Sequence, residues 1–194
     1  MNSLSCENLK EILSRLSELI SLETNQCFEL VVCGGSALIA LGLIERTTRD
    51  IDVVAVVKGN LFADPEPLPA EMIKAAARIA QYSDLPADWL NTGPADIFRM
   101  GLPDGFGNRL VTWHVGRNLV IHFISRLDQI HFKLYAAVDR GGYHITDLMA
   151  LNPCDNEILQ AARWARTHDV SDGFKEMLEF LLKELGYERI IAEL

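Results

Sequence analysis

The sequence lacks the features that would place it in a membrane or in the secretory pathway. No stretch of its 194 residues approaches the roughly 18 uncharged apolar residues that a membrane-spanning helix needs. Glu7, Lys10 and Glu11 interrupt the apolar pattern near the N-terminus, so we expect no signal peptide. We therefore expect a cytoplasmic protein with no membrane partner.

Cysteine and positive charge are both scarce. The four cysteines show neither a C-x-x-C pair nor the Cys/His spacing of a metal site, so we expect reduced thiols. Lys and Arg number 18 against 27 Asp and Glu, which gives a formal net charge of −9. This charge argues against a broad, non-specific nucleic-acid surface, and it leaves room for a local basic patch.

Hydrophobic residues make up 49% of the chain, which is ample for a sizeable core. Periodicity predicts helices at 4–22, 36–44, 70–82, 126–140, 145–151, 155–168 and 171–186, and strands at 28–33, 50–57, 110–114 and 119–124. The glycine- and proline-rich residues 91–107 are predicted to be irregular. Asp155 and Ser171 are predicted N-caps, and Gly186 a helix stop.

Two glycines directly follow the first predicted strand. Residues 28–33 lead into Gly34-Gly35-Ser36, which indicates a tight turn before a helix. Glycine lets backbone N–H groups approach a ligand closely, and the start of a helix carries partial positive charge. This pattern is typical of a turn that binds phosphate.

Asp50 and Asp52 open the next predicted strand. Because side chains alternate along a strand, both carboxylates project to one side, while Ile51 and Val53 point into the core. Two carboxylates this close repel each other unless a cation lies between them, and Mg²⁺ prefers such a pair together with phosphate oxygens. The glycine turn and the aspartate pair together predict a nucleotide site.

Strand, Gly-Gly-Ser, helix and Asp-x-Asp, in this order, resemble the nucleotidyltransferase superfamily typified by DNA polymerase β. Residues 46–52 resemble the R-x-T-x-D-I-D form of bacterial nucleotidyltransferases of the abortive-infection toxin type and their uncharacterised relatives. Residues 127–137 are similar to the E-D-L-I-x-x-K-L-x-A helix of those proteins, and residues 139–151 to their R-x-x-x-K-D-x-x-D-L-x-x-L segment. With a further similar segment at 85–91, the resemblance covers residues 28–151.

The resemblance implies an α/β (α+β) fold in which helices flank a mixed, partly antiparallel sheet of about four or five strands. It implies a nucleotidyltransferase-like domain at residues 1–151 and a helical C-terminal extension at 152–194 packed on it. It also implies transfer of an NMP from an NTP to an acceptor hydroxyl. The implied acceptor is tRNA or a protein, and a toxin-like protein would have a cognate antitoxin as its partner.

The resemblance also implies roles for individual residues. These are Asp50 and Asp52 as catalytic ligands of Mg²⁺ or Mn²⁺, Gly34, Gly35, Ser36 and Arg49 as nucleotide-binding residues, and Lys133 and Asp147 as further catalytic residues. Lys133 would neutralise charge on the phosphates, and Asp147 would activate or orient the attacking hydroxyl. From the residues alone, Asp147 can equally be read as the cap of the helix that follows it.

A third carboxylate is the one superfamily feature that the sequence does not supply. Many members place it on a later strand, whereas residues 118–124 contain no acid and offer only His122. For His122 we expect a half-buried, hydrogen-bonded side chain, although a histidine can accept a proton. In the toxin-like subgroup, Asp147 would take the place of the third carboxylate.

Two other classes of function stay open. One is a small-molecule nucleotidyltransferase of the aminoglycoside-modifying type, favoured by the negative net charge and by the acidic middle segment, which contains Asp84, Asp88, Asp96 and Asp104. The other is a catalytically inactive nucleotide-binding or interaction module with the same fold. An acidic site beside Asp50 favours the first of these, and a blocked site favours the second.

Overall fold

The computed structural model describes residues 3–194, and within them eight α-helices accompany six strands. The helices are α1 (Leu9–Glu23), α2 (Gly34–Ala40), α3 (Ala70–Ser83), α4 (Ala95–Met100), α5 (Arg126–Arg140), α6 (Tyr143–Ala150), α7 (Asp155–His168) and α8 (Asp172–Glu184). The strands are β1 (Phe28–Cys33), β2 (Ile51–Lys58), β3 (Leu61–Ala63), β4 (Leu90–Asn91), β5 (Val111–His114) and β6 (Leu119–Phe123). Short 3₁₀ helices lie at Phe106–Arg109 and Glu188–Glu193.

The strands form one mixed sheet in the order β3-β2-β1-β6-β5, and β4 pairs with the first residues of β2. β1 runs antiparallel to β2 and parallel to β6, and β5 and β6 form an antiparallel hairpin. The predicted α/β class with a mixed, partly antiparallel sheet is confirmed. The sheet has six strands because two short ones, β3 and β4, carry too few residues to show a strand pattern in the sequence.

One face of this sheet packs against α1 and α3. Leu30 and Val32 of β1 lie in a single apolar cluster with Leu13 and Leu16 of α1 and with Met72 of α3. The predicted amphipathic pattern of α1 therefore supplies the layer that covers β1.

Several segments differ from the prediction; α1, for example, begins at Leu9 rather than at residue 4. Residues 91–107, predicted to be irregular, contain α4, which begins after Pro94 and ends at Gly101, where φ is +116°. A helix of six residues between a proline and a glycine is too short to produce a helical period in the sequence. α2 ends at Ala40 rather than near residue 44, because Gly42 takes a left-handed conformation with φ of +65° and stops it.

The chain forms two compact units, one that runs to Ile124 and a second that is Ser125–Leu194. The first contains the whole sheet with α1 to α4, and the second contains α5 to α8. The domain boundary predicted after residue 151, which counts α5 and α6 with the sheet, stays a prediction.

The helix ends of the second unit were predicted in part. Ser171 caps α8, where its side chain accepts a hydrogen bond from the N–H of Phe174 (3.2 Å), and Gly186, with φ of +83°, follows its C-terminus. The predicted N-cap Asp155 is wrong. Cys154 takes that position in an extended conformation, and its N–H donates to Glu157 Oε2 (2.9 Å), so Asp155 is the first helical residue.

Among residues 3–194, the helices are all too short or too polar to cross a membrane.

Candidate functional site

The predicted aspartate pair lies at the start of β2. Asp50 directly precedes the strand and Asp52 is its second residue; both are half-buried. Ile51 and Val53 are buried in the apolar cluster, so Asp52 points to the opposite face of the sheet. The predicted division between core-facing and site-facing residues is therefore confirmed at these positions.

Asp52 is held between two neighbouring strands. Its Cα pairs with Cys33, the last residue of β1, and with Asn91 of β4. Cys33 directly precedes the Gly-Gly turn, so the antiparallel pairing of β1 and β2 brings the two predicted motifs side by side.

The Gly-Gly turn needs glycine for two separate reasons. At Gly34 the backbone is left-handed, with φ of +70°, and a Cβ there would collide with Oδ2 of Asp52. At Gly35 a Cβ would lie 2.8 Å from Oγ1 of Thr48 and 3.3 Å from Nη2 of Arg46. The missing side chains therefore let α2 begin directly against the segment that carries the aspartates.

Thr48 fixes the position of Asp50. Its hydroxyl donates to Asp50 Oδ1 (2.8 Å), and its backbone forms a bridge with Leu4 through hydrogen bonds of 2.7 and 2.9 Å. The buried Thr48 thus anchors the residues before β2 to the N-terminal segment. Sequence reasoning missed this role, although the threonine stands within the R-x-T-x-D-I-D pattern.

Ser36 and Arg49 were predicted to complete the phosphate-binding turn. In the structure their side chains lie elsewhere. Ser36 is fully buried and its hydroxyl donates to the Cys33 carbonyl (3.4 Å), so its side chain is used inside the fold. Arg49 is exposed. The guanidinium that lies beside Gly35 belongs to Arg46. For both residues a nucleotide-binding role stays a prediction.

Lys133 and Asp147 lie in the second unit, on α5 and α6, and contact each other. Lys133 Nζ donates to Asp147 Oδ2 at 2.8 Å, and the two side chains are only 6% and 3% exposed. The ring centroid of Tyr143 lies 5.5 Å from the same ammonium, which adds a cation–π contact. Asp147 stands inside α6, so the alternative reading of this residue as a helix cap is wrong.

Each compact unit therefore contains half of the predicted catalytic set. Asp50 and Asp52 belong to the first unit, and Lys133 and Asp147 form a buried ion pair in the second. That all four act in one reaction stays a prediction.

β6 carries no carboxylate, in agreement with the sequence analysis. Its His122 is half-buried and hydrogen-bonded through both ring nitrogens, as predicted: Nδ1 lies 2.8 Å from Thr112 Oγ1, and Nε2 lies 2.9 Å from Glu29 Oε2. The chain continues past β6 into the fully buried Ile124, whose N–H donates to the Val32 carbonyl (3.1 Å). The position after β6, beside the end of β1, is therefore occupied by the aliphatic side chain of Ile124.

Asp50 and Asp52 are the two carboxylates of the predicted metal site. No group of three or more His, Cys, Asp and Glu side chains among the described residues 3–194 is placed to hold a metal ion. Mg²⁺ is commonly held by one or two carboxylates while substrate phosphates and water supply its other ligands. The pair is therefore a donor set that suits a nucleotide-bound cation.

A cluster of acidic side chains lies near Asp52, at the end of the sheet where β4 pairs with β2. Arg99 of α4 forms ion pairs with Asp64 (2.7 Å), with Asp96 (2.8 Å) and with Glu66, which also accepts from the hydroxyl of Thr92 (2.9 Å). The hydrogen bonds from Arg99 lower the pKa of both Asp64 and Glu66. Thr92 follows the β4 residue that pairs with Asp52, so this cluster lies at the same edge of the sheet.

The comparisons with known proteins give the family of this chain. A family model described as "Nucleotidyltransferase of unknown function (DUF6036)" matches residues 7–191. Because the match covers nearly all of the sequence, this chain belongs to that nucleotidyltransferase family. Membership of the superfamily, predicted from the Gly-Gly-Ser and Asp-x-Asp motifs, is confirmed, and the narrower likeness to toxin-type proteins stays a prediction. No curated protein and no solved structure matches the chain.

Proposed function

We propose that this protein is a Mg²⁺-dependent nucleotidyltransferase, which moves an NMP from an NTP to an acceptor hydroxyl on tRNA or on a protein. The observation that carries the proposal is the contact between Gly34 and Asp52. Only glycine leaves room for this carboxylate at the first residue of α2, where backbone N–H groups point away from the helix. Asp52 would thus offer a metal-binding oxygen beside amides that would bind an anion.

Asp50 and Asp52 would hold the divalent cation, Mg²⁺ or Mn²⁺. Both are hard oxygen donors and both are partly accessible, and the Thr48 hydroxyl orients Asp50. Bound there, the cation would neutralise charge on the triphosphate and polarise the α-phosphoryl group. Exchange of either carboxylate for an amide removes one negative charge from this donor set.

The remaining residues of the first unit would bind the triphosphate. Gly34 is half-buried and would supply backbone that a phosphate can approach closely, whereas Gly35 and Ser36 are buried and would act by shaping the turn. Arg46, beside Gly35, and the exposed Arg49 would supply positive charge. Lys133 and Asp147 enter the proposal through the family resemblance alone, as residues that would neutralise phosphate charge and orient the acceptor.

The proposal is tested by incubating the purified protein with each NTP, labelled on its α-phosphate, together with Mg²⁺ and a total cell extract. We expect label on tRNA or on a protein band, and no label with Asp52→Asn. Asp84→Asn is the matched control, because this exposed aspartate of the same unit lies in a left-handed cap position that asparagine also adopts. Equal labelling by the wild-type protein and Asp52→Asn would contradict the proposal.

A small cationic acceptor is the second candidate, and the acidic cluster around Arg99 favours it. Three carboxylates surround one guanidinium at the sheet edge next to Asp52, which leaves excess negative charge there. The same assay with an aminoglycoside as acceptor separates the two candidates. Label on the aminoglycoside alone, resolved from the NTP by chromatography, would replace tRNA and protein as the acceptor. No label on any acceptor would leave a non-catalytic nucleotide-binding module.

A further inference from the structure

Three side chains on neighbouring strands form a hydrogen-bonded group that does not include the aspartate pair. Thr112 of β5, His122 of β6 and Glu29 of β1 lie side by side, with 2.8 Å from Thr112 Oγ1 to His122 Nδ1 and 2.9 Å from His122 Nε2 to Glu29 Oε2. The Thr112 residue is exposed, His122 is 15% exposed and Glu29 is 41% exposed. Thr112 and Glu29 are therefore the two solvent-accessible ends of this hydrogen-bonded group, and His122 lies between them.

This order of groups defines the direction of the hydrogen bonds. A carboxylate has no proton to give, so Nε2 of His122 donates to Glu29, and Nδ1 of the neutral ring is left as an acceptor. The Thr112 hydroxyl then donates to Nδ1. A hydroxyl that donates to an imidazole, which is in turn oriented by a carboxylate, has the arrangement of a nucleophile activated by a general base.

We propose that Thr112 is a nucleotidyl acceptor, so that one copy of this protein modifies a second copy. This proposal rests on the proposed nucleotidyltransferase activity and names a protein acceptor for it. Oγ1 of Thr112 forms a bond to the α-phosphorus of the NTP while its proton passes to Nδ1 of His122. The bond from the α-phosphorus to the oxygen that bridges to the β-phosphate breaks, and pyrophosphate leaves with that electron pair. The product is a phosphodiester between Thr112 and the nucleoside.

The topology of the sheet favours a second copy. β1 and β6 lie between β2, which carries Asp52, and β5, which carries Thr112. Three spacings between strands separate the backbones of the two residues by about 14 Å within the sheet. In-line attack needs the Thr112 oxygen within about 3.5 Å of the α-phosphorus. An α-phosphorus bound at the aspartate pair lies across β1 and β6 from Thr112 of the same chain, which favours transfer between two chains.

The test mixes two distinguishable chains. Untagged wild-type protein is the donor, a tagged Asp52→Asn chain is the acceptor, and an NTP labelled on the α-phosphate is added with Mg²⁺. We expect label on the tagged chain, a mass increase of one NMP on the peptide that contains Thr112, and an initial rate that rises with acceptor concentration. The Asp52→Asn chain alone should stay unlabelled.

Matched acceptors locate the label. Adding Thr112→Val to the tagged chain should remove it, and Thr112→Ser should restore it because the hydroxyl returns. Thr167→Val should leave it unchanged, because Thr167 is also exposed and its hydroxyl donates to the Trp164 carbonyl (2.7 Å), which is not a base. Circular dichroism checks that each variant is folded.

His122 and Glu29, the other two residues of the hydrogen-bonded group, are tested by separate substitutions. His122→Gln should slow labelling about a hundredfold, the usual contribution of a general base. Glu29 is a positioning residue, so Glu29→Gln should slow labelling and also change the tautomer of His122, which correlation of ring ¹⁵N with carbon-bound protons reports. A tautomer unchanged in Glu29→Gln would contradict the positioning role.

The outcomes separate this proposal from the one on which it rests. Label on components of a cell extract, but none on Thr112 of the tagged chain, would overturn the self-modification and leave the transferase activity intact. Label on the tagged chain at another residue would overturn it as well. No label on any acceptor would overturn both proposals.

Discussion

Two features require glycine at position 34: its left-handed backbone and its contact with Asp52. Substitution by alanine should destabilise the protein by about 1–2 kcal/mol through its left-handed backbone, and should also displace Asp52, against which the new Cβ would collide. Gly42→Ala is the matched control, since Gly42 has φ of +65° and open space around it. We expect both variants to lose stability in urea unfolding and only Gly34→Ala to lose Mg²⁺–NTP binding in calorimetry. Equal binding by the two variants would separate Gly34 from the site.

Thr48 allows a second test at the same scale. Thr48→Val keeps the shape of the side chain and removes the hydroxyl that donates to Asp50. Loss of this bond should lower kcat/KM for nucleotide transfer about tenfold, which corresponds to a net hydrogen bond of about 1.4 kcal/mol. The neighbouring exposed Thr47 supplies the control Thr47→Val. If the two variants transfer at the same rate, the orientation of Asp50 does not depend on Thr48.

At the residue scale, the sequence predicts those site residues that stand within a local pattern. Gly34 and Asp52 follow from strand alternation and turn chemistry, and the structure places them against each other. Thr48 and Arg46 were missed as neighbours of Asp50 and Gly35 because their contacts depend on how the segment before β2 folds back onto α2. The buried hydroxyl of Ser36 shows the same limit, since its small polar side chain fits a phosphate turn and a helix interior equally well.

At the scale of secondary-structure elements, one buried ion pair joins α5 to α6. Lys133→Met should destabilise the protein by about 3–5 kcal/mol, because it leaves the Asp147 carboxylate buried without its partner. Combining it with Asp147→Leu should recover most of that stability, because two apolar side chains then replace the charges. Urea unfolding of the single and double variants measures both effects.

The same double variant tests the predicted catalytic role. If Lys133 and Asp147 act in transfer, the folded double variant transfers no nucleotide. A stable double variant with wild-type transfer activity would restrict the pair to holding α5 against α6.

α7 should make the second unit sensitive to acid. The hydrogen bond from Arg126 is the main cause that lowers the pKa of Glu157 below its usual 4.5. A carboxyl whose pKa is lower in the folded state stabilises the protein above its unfolded pKa, and this contribution is lost as pH falls through the folded pKa. Stability in urea should therefore fall less between about pH 7 and about pH 3 in Glu157→Gln than in the wild-type protein.

Glu184→Gln, at an exposed position on α8, is the control for this pH effect. Identical acid loss in the wild-type protein and in Glu157→Gln would contradict the assignment to the Arg126 pair. Glu157→Gln should also lower stability at neutral pH by about 1 kcal/mol or less, because it removes the charge that pairs with Arg126, while a glutamine can still close the capping box at the start of α7.

The helices and strands whose hydrophobic residues follow a clear period were the ones that the sequence predicts. The strand at 28–33 and the helices at 126–140 and 155–168 begin and end where the sequence places them. α4, β3 and β4 were missed because each is six residues or fewer and lies among prolines and glycines. Pairing with β2 defines β3 and β4, and such pairing leaves no periodic signal in a short segment.

For the whole molecule, the sheet unit brings both nucleotide motifs together, and the family match extends across both units. The excess of acidic residues continues at the sheet edge beside Asp52, so positive charge on an acceptor should favour its binding. Transfer to a cationic acceptor should then weaken as salt screens these exposed charges. Its rate, measured between low and high salt, should fall more steeply than the rate with a neutral acceptor, and equal dependence would remove the cluster from acceptor recognition.

The central claim is transfer of a nucleotidyl group by the Asp50 and Asp52 site, and parallel reactions with differently labelled NTP test it most directly. One reaction carries label on the α-phosphate and the other on the γ-phosphate, each with wild-type protein and with Asp52→Asn. We expect α-label on the acceptor and γ-label in released pyrophosphate with the wild-type protein, and neither product with Asp52→Asn. Label from the γ-phosphate on the acceptor would indicate phosphoryl transfer instead, and α-label transferred equally by Asp52→Asn would contradict the assigned site.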